Sequence, residues 1–173
     1  MFEENLTGWL VTDWWYRSLA TLVVVSCGKT KIWDLNPAAG PTAARNAYVG
    51  GPFRVNKEYA ERFADRWVIL SAKYGFIDPD FVIPENYDVT FKDHRTNPIG
   101  IDRLRQQVRE MGLYKFDKAI VLGGRIYFEV CKKAFEGFNI KIYAPTVGLP
   151  LGKAMQKVRE AIRHNRPFDC YIG

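Results

Sequence analysis

The sequence has few of the residues on which metal sites, disulfide frameworks and histidine-dependent catalysis rely. Its 173 residues include only three cysteines and two histidines, namely Cys27, Cys131, Cys170, His94 and His164. Neither set has zinc-ligand spacing, and an odd number of distant cysteines does not indicate a disulfide framework. The histidines also lack the neighbours of a Ser-His triad or a zinc deaminase. We therefore expect no metal and no cofactor; of the cysteines, Cys27 alone is placed for chemistry.

A long apolar stretch is also absent. No segment has the roughly 18 apolar residues that a membrane-spanning helix needs. The apolar run over residues 19–25 is similar to part of a signal peptide, but Glu3, Glu4 and Asp13 precede it in place of a basic start. We interpret the run as the first core strand of a cytoplasmic protein with no membrane partner.

The length and the hydrophobic pattern predict a single α/β domain. Residues 1–18 form an aromatic N-terminal extension that we expect to pack on the domain, and residues 19–173 form the domain itself. Strand-like apolar runs alternate with amphipathic segments of helical period, which predicts a mainly parallel sheet with helices on both faces. The predicted strands cover 21–26, 67–70, 118–122 and 140–143, and the longer helices about 54–65, 101–111, 125–135 and 153–164.

The predicted central strand, residues 67–70, leads into a loop with unusual polar chemistry. Lys73 and Tyr74 follow the strand at once, and Tyr87 and Asp88 come about a dozen residues later, after two prolines. Ligands of open α/β sheets bind just beyond the carboxyl ends of the strands. These four residues are therefore candidate site residues. The alternative is a long surface loop that its tyrosines only pack down.

The first predicted strand leads directly into Cys27, Gly28, Lys29 and Lys31. Glycine lets a ligand approach the backbone, and lysines supply positive charge, so this loop suits an anion. It lacks the spacing of a P-loop. A simple turn with two solvated lysines is the alternative.

A short helix is predicted to begin at Thr42, with that residue as its cap. Arg45 and Tyr48 then lie one turn apart, close enough to act on one ligand.

The predicted strand 118–122 passes through Gly123 and Gly124 into a helix. Such a junction points backbone N–H groups outward at a helix start and suits a phosphate or a sugar, although a bare pair of glycines also serves as an ordinary turn. Three strands thus end in glycine or polar chemistry. Because parallel strands end on the same side of a sheet, we expect one functional cleft there.

Four motifs contain most of the candidate site residues: Val25-Ser26-Cys27-Gly28-Lys29-Thr30-Lys31, Ala44-Arg45-Asn46-Ala47-Tyr48 with Phe53, Leu70-Ser71-Ala72-Lys73-Tyr74-Gly75 and Tyr87-Asp88-Val89-Thr90. They resemble an uncharacterised prokaryotic family that is distantly similar to the YaaA peroxide-stress proteins. The match runs over about residues 21–91, with Cys27-Gly28 where that family has Pro-Ala and an additional Asn86 before Tyr87. The resemblance implies an α/β core and DNA binding. A weaker similarity of the first motif to domains of archaeosine synthase implies chemistry on a nucleobase.

The leading hypothesis is an enzyme that acts on a nucleobase or its N-glycosidic bond. Asp88 would stabilise or capture the sugar cation, as carboxylates do in glycoside chemistry. Tyr74 or Tyr87 would contact the base. The net charge of +6 favours a polyanionic partner: DNA, RNA, a nucleoside or a nucleotide. The cations expected to bind phosphate or the leaving base are Lys29, Lys31, Arg45 and Lys73.

Two alternatives belong to other classes. One is a non-catalytic DNA- or RNA-binding protein, for which an exposed Asp88 and an evenly basic surface would be characteristic. The other is a nucleotide or phosphosugar enzyme that uses Cys27 as a nucleophile. The sequence does not indicate an oligomeric state.

Overall fold

The sheet is built around its first strand, which is the apolar run that follows Ala20. A computed structural model describes residues 19–168, so the predicted aromatic extension over residues 1–18 lies outside the described residues. Within the described part, the strands of this sheet are β1 Thr21–Ser26, β3 Arg66–Ser71, β4 Gly75–Ile77, β6 Lys118–Leu122 and β7 Lys141–Tyr143. Their order across the sheet is β4-β3-β1-β6-β7. Strands β3, β1, β6 and β7 are parallel, and β4 is antiparallel to β3.

Helices cover both faces of this sheet, as predicted. Alternate residues of β1 point to opposite faces, so Val23 and Val25 join one buried cluster while Leu22 and Val24 join the other. The α-helices of the described residues are α1 Ile32–Leu35, α2 Ala44–Ala47, α3 Gly51–Phe63, α4 Ile101–Glu110, α5 Arg125–Phe135 and α6 Leu151–Arg163. Helices α3 and α6 pack on the first face of the sheet, and α4 and α5 pack on the second.

The fold corrects the prediction of a long loop after the central strand. Gly75 has a φ of 76°, a left-handed conformation that glycine adopts readily, and the chain turns there into the antiparallel strand β4. Gln107 of α4 holds this turn, because its side chain accepts a hydrogen bond from the Phe76 N–H and donates one to the Tyr74 carbonyl, both at 2.9 Å. Strand pairing and the contact with α4 therefore hold the chain that follows β3 in place.

The short helix does not begin at Thr42. Residues Thr42–Ala43 form strand β2, which pairs antiparallel with β5, Val82–Ile83. The Thr42 hydroxyl donates to the Gly40 carbonyl instead of capping a helix, and α2 starts at Ala44. The β-branched residues of β5 supply a pairing partner that outweighs the local preference of threonine for a cap.

Among the described residues, no helix is long and apolar enough to cross a membrane. Within the same residues, no group of three or more histidine, cysteine, aspartate or glutamate side chains is arranged to hold a metal ion.

Candidate functional site

Three strands end side by side at one edge of the sheet. Ser26 at the end of β1 pairs with Leu70 of β3, and Val25 pairs with Leu122 of β6. The loops that begin at residues 27, 72 and 123 therefore start from adjacent positions. The predicted adjacency of the three strand ends is confirmed, but of these loops only those after β1 and β6 line the cleft at this edge.

A cleft of about 720 Å³ opens at this edge, a size that suits a small organic ligand. It lies between the ends of β1 and β6, the first turns of three helices and the segment that joins β7 to α6. Four of the predicted site residues line it, namely Cys27, Gly28, Gly123 and Gly124. The remaining lining residues are mainly apolar, with Lys92, Arg125, Asn56 and Thr146 among the polar exceptions.

The floor of the cleft is packed as tightly as a protein core. A Cβ atom on Gly123 would lie 1.6 Å from Ser26 Oγ and 2.6 Å from Ser26 Cβ, so only glycine fits beside this serine. Next to them, Cys27 Sγ and the Tyr127 hydroxyl share a hydrogen bond of 3.3 Å. Burial raises the pKa of the Cys27 thiol, and the hydrogen bond to Tyr127 opposes this only in part. The thiol is therefore protonated at neutral pH.

The N-termini of α3, α5 and α6 all open into the cleft. Pro52 and Phe53 of α3, Arg125 and Ile126 of α5, and Leu151 of α6 are lining residues from the first turns. No side chain among residues 19–168 caps any of the three helices, and none of the helices has an acidic residue in its first turn. Helix N-termini carry unpaired N–H groups and a partial positive charge, which together favour an anion.

The charged side chains that line the cleft are positive, like the partial charges of the helix N-termini. Lys92 and Arg125 line it, and both side chains are exposed and make no ion pair with the described residues. No aspartate or glutamate is among the lining residues. The cleft therefore attracts negative charge from both its helix ends and its side chains.

A second polar group lies beside the cleft, on the β3 side of Cys27. We call it the tyrosine cluster: Lys31, Tyr48, Ser71, Lys73, Tyr74 and Tyr87. The Tyr87 hydroxyl shares hydrogen bonds with the hydroxyls of Tyr48, at 2.5 Å, and Ser71, at 2.9 Å. Ser71 Oγ also accepts the N–H groups of Lys73 and Tyr74, each at 3.2 Å. Burial raises the pKa values of the Tyr48 and Tyr87 phenols well above the ordinary range.

Two lysines of the cluster lie against the ring of Tyr87. Lys31 Nζ is 4.5 Å from the ring centroid and Lys73 Nζ is 5.5 Å from it, both within cation–π range. Lys31 is only 8% exposed and also donates to the Lys29 carbonyl at 3.4 Å. Tyr74 packs edge-on against Tyr87 at 5.5 Å. The cluster is thus a connected structural unit that fixes the loops after β1 and β3.

Comparison with known proteins gives the chain a family. The profile of a family of unknown function, DUF6884, matches residues 22–160. The protein belongs to the DUF6884 family. The matched range runs from β1 into the last turns of α6, so it includes both the cleft and the tyrosine cluster.

The chain is also similar to a curated protein whose function is uncharacterized. This DUF6884 protein is 43% identical over 109 residues to the uncharacterized protein YfjM of Bacillus subtilis (strain 168). The alignment covers 63% of the present chain and 73% of YfjM. No solved structure matches the chain significantly.

The fold of this DUF6884 protein separates the predicted site residues into groups. Cys27, Gly28, Gly123 and Gly124 lie at the cleft, whereas Lys31, Tyr48, Lys73, Tyr74 and Tyr87 belong to the tyrosine cluster. The exposed Lys29 lines neither.

Arg45 and Tyr48 do not meet at one ligand. The Arg45 guanidinium pairs with Asp80 at 2.9 Å and Glu61 at 3.7 Å, while the Tyr48 side chain is 1% exposed and faces Tyr87. Because carboxylates already neutralise Arg45, it is poorly placed to bind a phosphate.

Asp88 also lies apart from the cleft. Its side chain is exposed, is not among the lining residues, and makes no hydrogen bond or ion pair with the described residues. A carboxylate that stabilises a sugar cation must be held against it. The geometry gives Asp88 no such position, and this exposure is what the non-catalytic alternative expected.

The cleft contains polar residues that the sequence pattern did not indicate: Ser26, Asn56, Lys92, Arg125, Tyr127 and Thr146. Asn56 could have been recognised from the sequence, because it lies three residues after Phe53 and three before Tyr59, on the buried face of α3. A polar residue on an apolar helix face marks either a core hydrogen bond or a ligand site.

Proposed function

We propose that this DUF6884 protein binds a nucleotide in the cleft. The observation that carries the proposal is the convergence of three uncapped helix N-termini, free of acidic residues, on one cleft that also contains Lys92 and Arg125. A phosphate group satisfies both the free N–H groups and the positive charge.

The walls support a nucleotide more than a free phosphate. The cleft volume of about 720 Å³ is far larger than a phosphate ion needs. Beyond the helix ends the lining is apolar, with Ile126 of α5 and Leu149, Leu151 and Met155 around the start of α6. Such walls suit the flat faces of a nucleobase.

The phosphate fits best at the start of α5. Gly124 occupies the N-cap position of this helix and has no side chain to cap it, and an added Cβ there would meet nothing within 4 Å, so the backbone is open to a ligand. Arg125 is the first residue of the helix, and its guanidinium can form two hydrogen bonds to a phosphate. We therefore expect Arg125 to contribute directly to affinity.

Isothermal titration calorimetry with AMP, GMP, CMP and UMP tests the proposal. Arg125→Ala should weaken binding roughly tenfold or more, since a hydrogen bond to a charged group contributes about 1.5–3 kcal/mol. Arg159→Ala is the matched control, because Arg159 is exposed on α6, outside the cleft, and makes no ion pair with the described residues. The proposal fails if no nucleotide binds, or if both variants bind alike.

A nucleic-acid strand is the second candidate ligand. The exposed Lys29 and Lys73 follow β1 and β3, at the edge of the sheet where the cleft opens, and neither forms an ion pair with the described residues. These cations would contact phosphates that flank a nucleotide in the cleft. Fluorescence anisotropy with a labelled single-stranded oligonucleotide should then show affinity that falls steeply with salt. Affinity that does not change over the salt series would exclude this ligand.

A further inference from the structure

Some buried polar side chains of the protein have hydrogen-bond partners among the described residues, and others do not. Five polar or charged residues are buried among those described: Lys31, Asn56, Ser71, Gln107 and Thr146. Buried polar groups in folded proteins are nearly always hydrogen-bonded, so an exception needs a physical reason.

Away from the cleft, the rule holds with one exception: Arg45 Nε has no hydrogen-bond partner among the described residues, although the other nitrogens of that guanidinium form two ion pairs. Ser71 makes three hydrogen bonds, and Gln107 uses both its amide oxygen and its amide nitrogen. Lys31 donates to a backbone carbonyl and lies over the ring of Tyr87. The fold is therefore able to satisfy such groups where they serve structure.

At the cleft, the rule fails twice. Asn56 is 5% exposed, and neither its Oδ1 nor the buried Ser26 Oγ has a hydrogen-bond partner among the described residues. Thr146, at 6% exposed, is a further buried polar residue beside them. All three residues line the same cleft. Unpaired groups of this kind destabilise the folded protein, so their occurrence together indicates a ligand that completes them.

We infer that Asn56, with Ser26 and Thr146, recognises the polar edge of the nucleobase of the bound nucleotide. The inference rests on the proposed nucleotide site and adds a specificity-determining function for these three residues. The Asn56 Oδ1 atom is a hydrogen-bond acceptor, so it requires a donor such as an N–H group of a base, which a phosphate dianion does not have. An asparagine amide carries both a donor and an acceptor, as the edge of a base does.

The balance of the lining favours a base over a sugar in this part of the cleft. A base has two apolar faces and one polar edge, whereas a sugar presents hydroxyl groups in several directions. The lining around Asn56 is apolar on several sides, with Pro52, Phe53, Ala154 and Met155, and polar only at a few points. A planar ligand with its edge toward the amide matches that distribution.

Calorimetry with two probes tests the inference. Each protein is titrated with its best-binding nucleoside 5′-monophosphate and with ribose 5-phosphate, which keeps the phosphate and lacks the base. Asn56→Ala should weaken the nucleotide at least tenfold and change ribose 5-phosphate by less than twofold. Arg125→Ala should weaken both probes. The isosteric Thr146→Val tests the same edge with less change in packing and should weaken only the nucleotide.

The possible failures are distinguishable. If the wild-type protein binds neither probe, the proposed nucleotide site is wrong. If it binds both with equal affinity, or if Asn56→Ala and Thr146→Val weaken both equally, the phosphate site stands and recognition of the base is overturned.

Thermal melting of the unliganded variants separates recognition from structure. Because the Thr146 hydroxyl makes no hydrogen bond with the described residues, its removal in Thr146→Val breaks none of them, and this variant should melt at the wild-type temperature or above it. A melting temperature several degrees lower, together with unchanged nucleotide affinity, would show a structural role and overturn the inference.

Discussion

The cleft and the tyrosine cluster are neighbours built from the same strand ends, yet they treat polar groups in opposite ways. In the cluster, the Tyr87 hydroxyl joins those of Tyr48 and Ser71, and the backbone closes the network. In the cleft, Ser26 and Asn56 are buried without partners. A satisfied network fixes the fold, whereas an unsatisfied set lowers stability and raises affinity for a ligand. For this reason we propose the cleft, and not the tyrosine cluster, as the ligand site.

The largest effect is expected where the cleft is packed like the core. Gly123→Ala would force a methyl group into Ser26, and displacement of the ends of β1 and β6 should lower the free energy of unfolding by about 3 kcal/mol or more. Gly124→Ala is the matched control, since an added methyl group meets nothing within 4 Å. Chemical denaturation measures both. Equal stability of the two variants would show that the floor is not tightly packed.

Tyr87→Phe should have the next largest effect, because it leaves two buried hydroxyls without their shared partner. The expected loss of stability is about 1–3 kcal/mol. Tyr74→Phe is the control, as the Tyr74 hydroxyl makes no hydrogen bond with the described residues. Nucleotide affinity should remain within about threefold in both variants. A large loss of affinity in Tyr87→Phe, without a loss of stability, would move the ligand site to the cluster.

Alkaline pH should lower the free energy of unfolding through buried groups in both the cleft and the tyrosine cluster. Burial raises the pKa values of four groups: Cys27, Tyr48, Tyr87 and Tyr127. Their neutral forms stabilise the fold fully below the unfolded pKa values, roughly 8.5 for the thiol and 10 for the phenols, and this stability is lost as pH rises toward the folded values. Each group contributes a slope of up to about 1.4 kcal/mol per pH unit.

Denaturation at several pH values between about 8 and 11 measures this slope. Tyr87→Phe and Tyr127→Phe should each flatten it, one from the cluster and one from the cleft. A free energy of unfolding that does not change over this range would contradict the burial of these groups.

The smallest effect is expected at Asp88. Because its carboxylate is exposed and has no partner among the described residues, Asp88→Asn should change stability by less than about 0.5 kcal/mol and leave nucleotide affinity nearly unchanged. Calorimetry and thermal melting of this variant check both points. A large loss of nucleotide binding would restore Asp88 to the site and make the present assignment of the cleft incomplete.

The sequence pattern predicted the layers of the fold because they depend on local features. The β-branched run of β1 and the helical period of α4 specify their own burial. The turn at Gly75 was missed, because its left-handed conformation and its contact with Gln107 depend on a residue 32 positions away along the chain. The pairing of β2 with β5 was missed for the same reason.

Only some of the residues at the candidate site were predicted, and the residue types involved explain which ones. Lysines, tyrosines and glycines at strand ends are conspicuous in a sequence, and several of them do meet at this edge. Asn56, Ser26 and Thr146 are neutral residues inside a helix, a strand and a loop. Their burial at one cleft, and the lack of partners for Asn56 Oδ1 and Ser26 Oγ among the described residues, are properties of three-dimensional packing. Arg45 was predicted for the site because the carboxylates that neutralise it lie 16 and 35 residues away.

The most direct test of the central claim, that the cleft and not the tyrosine cluster binds the ligand, is a two-dimensional amide NMR titration with AMP. A ligand in the cleft should produce the largest shifts for the backbone amides of Gly124, Arg125 and Ile126 and for the side-chain amide of Asn56. The shifts of Ser71 and Tyr87 should be small. Large shifts confined to the tyrosine cluster, with the first turn of α5 unchanged, would contradict the claim.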